Sequence, residues 1–274
     1  MADETAPPRK SDLVPRLASA AVGLPLLGLA IWVGGYALAA IAAIAALIAC
    51  FEIMSLLKLA GWRPLNHEGM AWGAAVAGAA ALGGIAVLLA LAAGGALAVI
   101  TAIAIKRRAE WVGDWLFTLI GVSYVSLPLA TAVLLRDGTG GLAWLLLVFL
   151  ATFATDTGAY AVGRTVGRHR MAPSLSPSKT WEGAAGGLVA GMAATVALVA
   201  LLDDLPTVWW AASVLGLAIG SISQVGDLAE SKLKRMARVK NSGKLIPGHG
   251  GLLDRLDSLV LVFPLVYVAS RVWP

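Results

Sequence analysis

The chain has 274 residues, of which 59% are apolar and only 14% are charged, and its formal net charge is +5. Soluble domains are about half apolar and about a quarter charged, so this composition excludes a soluble protein and predicts an integral membrane protein. The positive charge does not indicate nucleic acid, because Lys and Arg in a membrane chain flank the spans or meet anionic headgroups. We expect no nucleic acid partner.

Nine apolar segments come close to the length of about 20 residues that a helix needs to cross a bilayer. They are 16–34, 36–57, 69–90, 91–105, 115–135, 141–162, 183–202, 206–226 and 255–273. Only Gly94-Gly95 separates the third from the fourth, and one bent element would lower the count to eight. The predicted fold is an all-α polytopic integral membrane protein with about nine transmembrane helices.

The positions of the basic residues predict the orientation. If the N-terminus is cytoplasmic, every Lys and Arg except Arg136 and Arg271 falls on the cytoplasmic side, in agreement with the positive-inside rule. We therefore predict a cytoplasmic tail (1–15), an N-terminal transmembrane scaffold (16–135) and a C-terminal transmembrane catalytic region (136–274). The polar segments of that last region would form a site at the cytoplasmic face.

Two polar features precede the seventh apolar segment. Asp156 lies just inside the sixth segment, where an unpaired charge is costly and marks a functional candidate. Its alternative role is to pair with Arg164 or Lys179. Residues 176–183 read Ser-Pro-Ser-Lys-Thr-Trp-Glu-Gly, and their hydroxyls and ammonium group suit a phosphate, although a helix N-cap is the alternative. The segment is not a P-loop, because the Gly-x-x-x-x-Gly-Lys frame is missing.

The densest polar stretch runs from Gln224 to Asp257. If its first part is helical, one face carries Asp227, Glu230, Ser231 and Lys234. Asp254 and Asp257 would also share a face if a helix begins near Gly251. Such carboxylates suit Mg²⁺ held together with substrate phosphates, and the glycines of 246–251 let main-chain N–H groups approach an anion. The alternative is a solvated loop whose charges neutralise one another.

This stretch resembles the signature of the phosphatidate cytidylyltransferase family. The signature begins Ser-x-Leu-Lys-Arg, here residues 231–235, and ends His-Gly-Gly-x-x-Asp-Arg-x-Asp, here residues 249–257. Residues 176–183 and 156–164 also look like motifs of these relatives. The resemblance implies an enzyme of phospholipid biosynthesis that transfers a cytidylyl group from CTP to phosphatidate, giving CDP-diacylglycerol and pyrophosphate. It would act in a bacterial-type inner membrane with its site facing the cytoplasm, and a homodimer is left open.

The resemblance also implies roles for individual residues. Mg²⁺ is expected on Asp227 and Asp254, with a second cation left open. The catalytic candidates are Asp227, Lys234, Asp254, Arg255, Asp257 and His249, the last in proton transfer or in ordering the phosphate-binding loop. The substrate-binding candidates are Ser178, Lys179, Thr180, Ser231, Arg235, Lys240, Gly250, Gly251 and Asp156.

One position departs from the family pattern, which has Lys-Asp where this chain has Lys240-Asn241. The loss of a charge there leaves open a catalytically impaired member of the family. A second alternative is a CTP-dependent polyprenol or phytol kinase, which would release CDP instead of pyrophosphate. A transporter is disfavoured because the charges concentrate at one face. Glu52, in the second apolar segment, is interpreted as a buried polar contact.

Overall fold

The computed structural model describes residues 10–106, 111–205, 208–243, 245 and 250–272. These residues form ten α-helices and one two-stranded antiparallel sheet. The helices are α1 (Lys10–Val33), α2 (Gly35–Leu59), α3 (Asn66–Gly78), α4 (Gly84–Lys106), α5 (Trp111–Arg136), α6 (Gly141–Thr165), α7 (Trp181–Leu201), α8 (Trp209–Met236), α9 (Leu253–Leu256) and α10 (Val262–Val272). The strands, β1 (Arg170–Ala172) and β2 (Ser176–Thr180), were not predicted.

The helices confirm an all-α polytopic membrane protein. Within the described ranges, six helices are long and apolar enough to cross a membrane, namely α2, α4, α5, α6, α7 and α8. Two shorter apolar segments, Ala21–Val33 and Val262–Val272, fall below that length. The count of nine spans and the cytoplasmic N-terminus remain predictions.

The predicted boundary between the third and fourth spans is wrong. Gly94 and Gly95 lie inside α4, and the chain breaks instead at Gly83, which follows a 3-10 turn and has φ +99°. A side chain at Gly94 would overlap the indole of Trp72 on α3. The glycine pair therefore permits close packing of two helices, and the segments are 66–82 and 84–106 in place of 69–90 and 91–105.

Three other boundaries differ from the prediction. Helix α1 begins at Lys10, inside the predicted tail, and α8 continues to Met236, ten residues beyond the predicted end at 226. The predicted span 255–273 is divided into α9, a series of turns over 257–261, and α10. Helix α8 can continue past its apolar part because its polar side chains pair with carboxylates and a lysine of neighbouring segments.

Small residues bring α6, α7 and α8 close together. A Cβ atom at Gly187 would lie 2.9 Å from the carbonyl oxygen of Thr155, and one at Gly216 would lie 2.6 Å from the Cα of Met192. Helices in membranes associate through such close contacts. The packing places the last turns of α6 beside the start of α7 and the second half of α8, where the polar motifs are found.

The two basic residues that the predicted orientation leaves outside share one end of the bundle. Arg136 donates from Nε and Nη2 to the carbonyl oxygens of Ile31 and Trp32, at 2.6 and 2.7 Å. A Cβ atom at Gly138 would lie 3.8 Å from Nη2 of Arg271. Helix α6 starts at this end and runs to the end that carries the polar motifs, so both arginines lie opposite the candidate site.

Candidate active site

The hairpin and the start of α7 form one side of the site. Thr180 is the N-cap of α7, since its Oγ1 accepts a hydrogen bond from the N–H of Gly183 at 3.1 Å. Glu182 accepts from the N–H groups of Arg168 and His169 at 3.1 and 3.2 Å and so fixes the chain that enters β1. The N-cap alternative is therefore present at Thr180, while Ser178 is exposed on β2. Substrate contacts by Ser178 and Thr180 stay predictions.

Lys179 connects the hairpin to α8. Its Nζ lies 2.6 Å from Oδ2 of Asp227, and both side chains are half-buried. The hydroxyl of Ser231, one turn further along α8, donates to Oδ1 of the same carboxylate at 3.4 Å. Two motifs that are remote in the sequence thus meet as an ion pair, and the predicted helical conformation around Asp227 is confirmed.

Lys234 forms the second cationic centre of the site. Its Nζ lies 2.7 Å from Oδ1 of Asp254 and 3.1 Å from Oε1 of Glu230, which is only 1% exposed. A buried carboxylate is stable as an anion only when a cation or several hydrogen bonds compensate it. Lys234 therefore pairs with two carboxylates and joins α8 to the start of α9.

The Asp254 carboxylate organises the loop before α9. Its Oδ2 accepts from the N–H of Gly251 and from the N–H of Ser242, both at 2.9 Å, and lies 3.0 Å from the Ser242 hydroxyl oxygen. Burial acts to raise the pKa of Asp254, but the hydrogen bonds from Lys234 and Gly251 hold that pKa below its usual value. The N–H of Gly251 is directed at the Asp254 carboxylate. A contact between Gly251 and substrate stays a prediction.

Gly250 is held in a conformation that favours glycine. Its φ is +90°, and a Cβ atom there would lie 2.8 Å from Oδ2 of Asp254. A side chain at this position would therefore be strained and would crowd the carboxylate. This supports a structural need for the glycine, and its predicted contact with substrate remains a prediction.

Two further carboxylates lie near Asp227. Asp156, near the end of α6, lies within electrostatic range of Asp227 and Lys179. Asp257, in the turns between α9 and α10, accepts from the N–H of Ser258 at 2.7 Å. Burial, followed by repulsion from Asp227, raises the pKa of Asp257 to about 6. The site therefore concentrates negative charge beside its lysines.

The raised pKa of Asp257 predicts a pH-dependent gain of stability in Asp257→Asn. Because the folded state holds this proton more tightly than the unfolded state does, Asp257 lowers the stability of the wild type as the pH rises from about 4 through about 6. The variant keeps the oxygen that accepts from Ser258 and removes the charge. We expect it to melt at a higher temperature than the wild type at pH 7.5, with the difference vanishing near pH 4 in the same detergent. A lower melting temperature at pH 7.5 would contradict this account.

An apolar cavity of about 660 Å³ opens beside these carboxylates. It lies between α1, α2, α5, α6 and α10, and most of its wall is aliphatic or aromatic. Its polar end is formed by Asp156, Asp254, Arg255 and Asp257. The volume falls within the range of small-molecule sites, and the separation of apolar and polar walls suits an amphipathic molecule.

The remaining predicted residues lie around this centre. Arg235 is exposed and donates from Nε to the carbonyl oxygen of Leu175 at 3.2 Å, so it fastens the hairpin turn to α8. Arg255 is exposed and lines the cavity, and Lys240 is exposed beyond the end of α8. His249 lies outside the described residues. Substrate contacts of Arg235, Lys240 and Arg255 stay predictions.

Three side chains near the site were not among the predicted site residues. Glu52 of α2 accepts hydrogen bonds from Ser242 and from the loop before α9. Tyr124 of α5 has a buried hydroxyl with no hydrogen-bond partner among the described residues, within electrostatic reach of Asp227 and Asp257. A charged residue inside an apolar segment is a sequence signal that could have identified Glu52 as a site residue. The sequence around Tyr124 and Ser242 contains no comparable signal.

Fold and site together define a helical membrane protein whose lysine–carboxylate pairs lie next to the carboxylates that line an apolar cavity. Residues 14–273 match the cytidylyltransferase family, and the chain belongs to that family. It is 37% identical over 155 residues to a phosphatidate cytidylyltransferase of Staphylococcus saprophyticus, covering 57% of this chain and 58% of the relative. It is 40% identical to that of Staphylococcus aureus (strain COL) with the same coverage, and 39% identical to that of Brucella suis over 171 residues, or 62% and 63% of the two chains. The matches thus span about three fifths of these relatives.

Proposed function

We propose that this protein transfers a cytidylyl group from CTP to phosphatidate, giving CDP-diacylglycerol and pyrophosphate. The observation that carries the proposal is the pair of lysine–carboxylate contacts, Lys179 with Asp227 and Lys234 with Asp254, of which Asp254 lines the polar end of the apolar cavity. The names of the relatives point to the same reaction. The substrates are CTP, which is water-soluble, and a lipid, and a site at this position is accessible to both.

The cavity suits the lipid substrate. Acyl chains gain free energy when they leave water for an aliphatic wall, and the wall formed by α1, α2 and α5 offers residues such as Leu27, Ile41 and Val133. The phosphate of the lipid would then lie at the polar end, close to Arg255. The lysines would meet the phosphates of CTP, since an ammonium group is a compact partner for such anions.

The reaction joins two anions, and this decides what the protein has to supply. An oxygen of the phosphatidate phosphate attacks the α-phosphorus of CTP, the bond to the β-phosphate breaks, and pyrophosphate leaves with that electron pair. The nucleophile is already ionised, so a strong base is not needed. Lys179 and Lys234 would reduce the repulsion between the phosphates and hold the reacting groups in line, which is the main source of rate in such transfers.

The divalent cation that the family implies would need substrate phosphates as ligands, since no group of three or more His, Cys, Asp or Glu that could hold a metal occurs among the described residues. Both predicted ligands, Asp227 and Asp254, already hold a cationic lysine nitrogen within 2.7 Å. Mg²⁺ is typically bound by one or two carboxylates together with substrate phosphates, and Asp257 and Asp156 add negative charge beside Asp227. Mg²⁺ would be held by Asp227 and Asp254 and would stabilise the charge of the leaving pyrophosphate. The magnesium requirement and a second cation are part of this proposal.

The test is an assay with CTP radiolabelled at the α-phosphate, phosphatidate and Mg²⁺. We expect label in a lipid product and an equal amount of pyrophosphate. A CTP-dependent lipid kinase would instead release labelled CDP and leave the lipid unlabelled. With CTP labelled at the γ-phosphate, such a kinase would transfer the label to its lipid substrate. Labelled CDP without labelled lipid would overturn the proposal.

The same assay on Asn241→Asp examines the position that departs from the family pattern. Asn241 is exposed, and its Cγ would lie 3.6 Å from a Cβ atom placed at Gly250, so it borders the loop that holds Asp254. Because an amide keeps an oxygen acceptor, we expect the wild type to turn over and the variant to change its rate by less than about tenfold. Product only after the substitution would identify the wild-type chain as an inactive member of its family.

A further inference from the structure

Glu52 connects the second helix to the loop that carries Asp254. The side chain is 3% exposed. Its Oε1 accepts from the N–H of Leu252 at 3.0 Å, and its Oε2 accepts from the N–H of Leu253 at 2.8 Å and from the Ser242 hydroxyl at 3.0 Å. Both oxygens of a buried carboxylate are thus used by a segment about two hundred positions later in the chain.

The Ser242 hydroxyl lies between two carboxylates. It is 3.0 Å from Oε2 of Glu52 and 3.0 Å from Oδ2 of Asp254, and the N–H of Ser242 donates to Asp254 at 2.9 Å. Asp254 in turn holds the ammonium group of Lys234 at 2.7 Å. A continuous set of contacts therefore runs from Glu52 through Ser242 to the lysine–carboxylate pair of the site.

The space around Glu52 shows how closely the loop is fitted to it. A Cβ atom at Gly243 would lie 2.5 Å from Oε1 of Glu52, and a Cβ atom at Gly251 would overlap the Ser242 hydroxyl. Glycine at both positions lets the main chain approach the carboxylate closely. The loop is therefore shaped around the Glu52 side chain.

We propose that Glu52 is a positioning residue of the site: it holds Ser242 and the start of α9 so that Asp254 pairs with Lys234. The residue lies in the predicted scaffold and does not border the cavity in the described structure. It acts on the reaction only through the loop. The inference rests on the proposed function, because its readout is cytidylyl transfer.

The test compares the wild type with Glu52→Gln, purified in the same detergent. The amide has one oxygen, so whichever way it turns, either Leu252 or Leu253 loses its acceptor. We expect kcat to fall about tenfold and KM for CTP to rise about fivefold, the scale of one buried N–H left without a partner. KM for phosphatidate should rise less than KM for CTP, because the aliphatic part of the cavity is unchanged and only the phosphate of the lipid lies near α9.

The KM values separate positioning from poor folding. A smaller folded fraction lowers the apparent kcat and leaves both KM values unchanged. The matched control is Thr195→Val, which removes a hydroxyl that is fully buried and bonded within α7, and it should keep both KM values of the wild type. If Glu52→Gln cannot be purified, Ser242→Ala is expected to raise KM for CTP in the same way.

The experiment distinguishes a failure of the proposed function from a failure of the inference about Glu52. A wild type without CTP-dependent lipid product overturns the proposed function and this inference with it. An active wild type together with a Glu52→Gln or Ser242→Ala variant of unchanged KM for CTP overturns this inference alone. The variant that combines Glu52→Gln with Ser242→Ala gives a further check. If it raises KM for CTP more than the stronger single change does, the inference is also overturned, because the effects of residues that act in one chain of contacts are not additive.

Discussion

Asp227→Asn is expected to lower the turnover of CTP and phosphatidate by roughly 100-fold or more, the scale seen when one group that stabilises developing charge is removed. The carboxylate holds Lys179 at 2.6 Å and is one of the two predicted Mg²⁺ ligands. Asparagine keeps the shape and one acceptor for the Ser231 hydroxyl, which lies 3.4 Å from Oδ1. The fold should therefore survive, while Lys179 loses its counter-charge and the cation loses an anionic ligand.

The measurement is initial rate at saturating substrates over a series of Mg²⁺ concentrations, with size-exclusion behaviour as the check on folding. We expect Asp227→Asn to need more Mg²⁺ for half-maximal rate than the wild type does. Asp203→Asn is the matched control, because Asp203 is exposed in the turn between α7 and α8, at the other end of α8. If Asp227→Asn turns over like the wild type at all Mg²⁺ concentrations, Asp227 is not a Mg²⁺ ligand of the reaction.

Lys234→Met is expected to abolish turnover and to destabilise the protein as well. Lys234 is the cation that lies between Glu230 and Asp254, at 3.1 and 2.7 Å. Its loss leaves the buried Glu230 carboxylate without a counter-charge, and breaking a buried pair in this way costs about 3 kcal/mol or more. Methionine retains most of the volume, so the effect reports the charge and not a cavity.

Thermal unfolding in detergent measures the stability part of this prediction. Lys232→Met is the matched control, since Lys232 lies on the same helix and is exposed, and it should melt like the wild type. Adding Glu230→Gln to Lys234→Met removes the more deeply buried of the two carboxylates that lose their counter-charge, and we expect it to restore part of the lost melting temperature without restoring turnover. If the Lys234→Met protein is as stable and as active as the wild type, the contacts of Lys234 with Glu230 and Asp254 contribute neither to stability nor to turnover.

Local sequence patterns were sufficient for the features that one helix or one motif determines. The face of α8 that carries Asp227 and Lys234 follows from helical spacing alone, and the structure confirms the helix. The long apolar segments predict the transmembrane helices because the bilayer requires both length and apolarity. The Lys179 and Asp227 motifs both resemble one family, and the ion pair shows that they are adjacent in the structure.

The sequence could not decide features that depend on neighbours in space. A glycine pair inside α4 and a glycine that ends a helix look alike in the chain, and only the indole of Trp72 against Gly94 and the positive φ of Gly83 distinguish them. The strands before α7 are two short segments stabilised by pairing with each other, which no periodicity predicts. The partner of Glu52 is remote in the sequence, so its predicted polar contact had no assigned role.

The contacts of Glu52 also set an order for biogenesis. Its acceptor oxygens meet groups 190, 200 and 201 positions later in the chain. At about 5 to 20 residues per second, translation places roughly 10 to 40 s between the synthesis of α2 and that of its partners. During that interval the nascent α2 carries a carboxylate with none of these partners, so the lysine–carboxylate pair at Asp254 is completed among the last steps of assembly. A ribosome-bound chain that stops before Ser242 would therefore present α2 to the insertion machinery with this charge uncompensated.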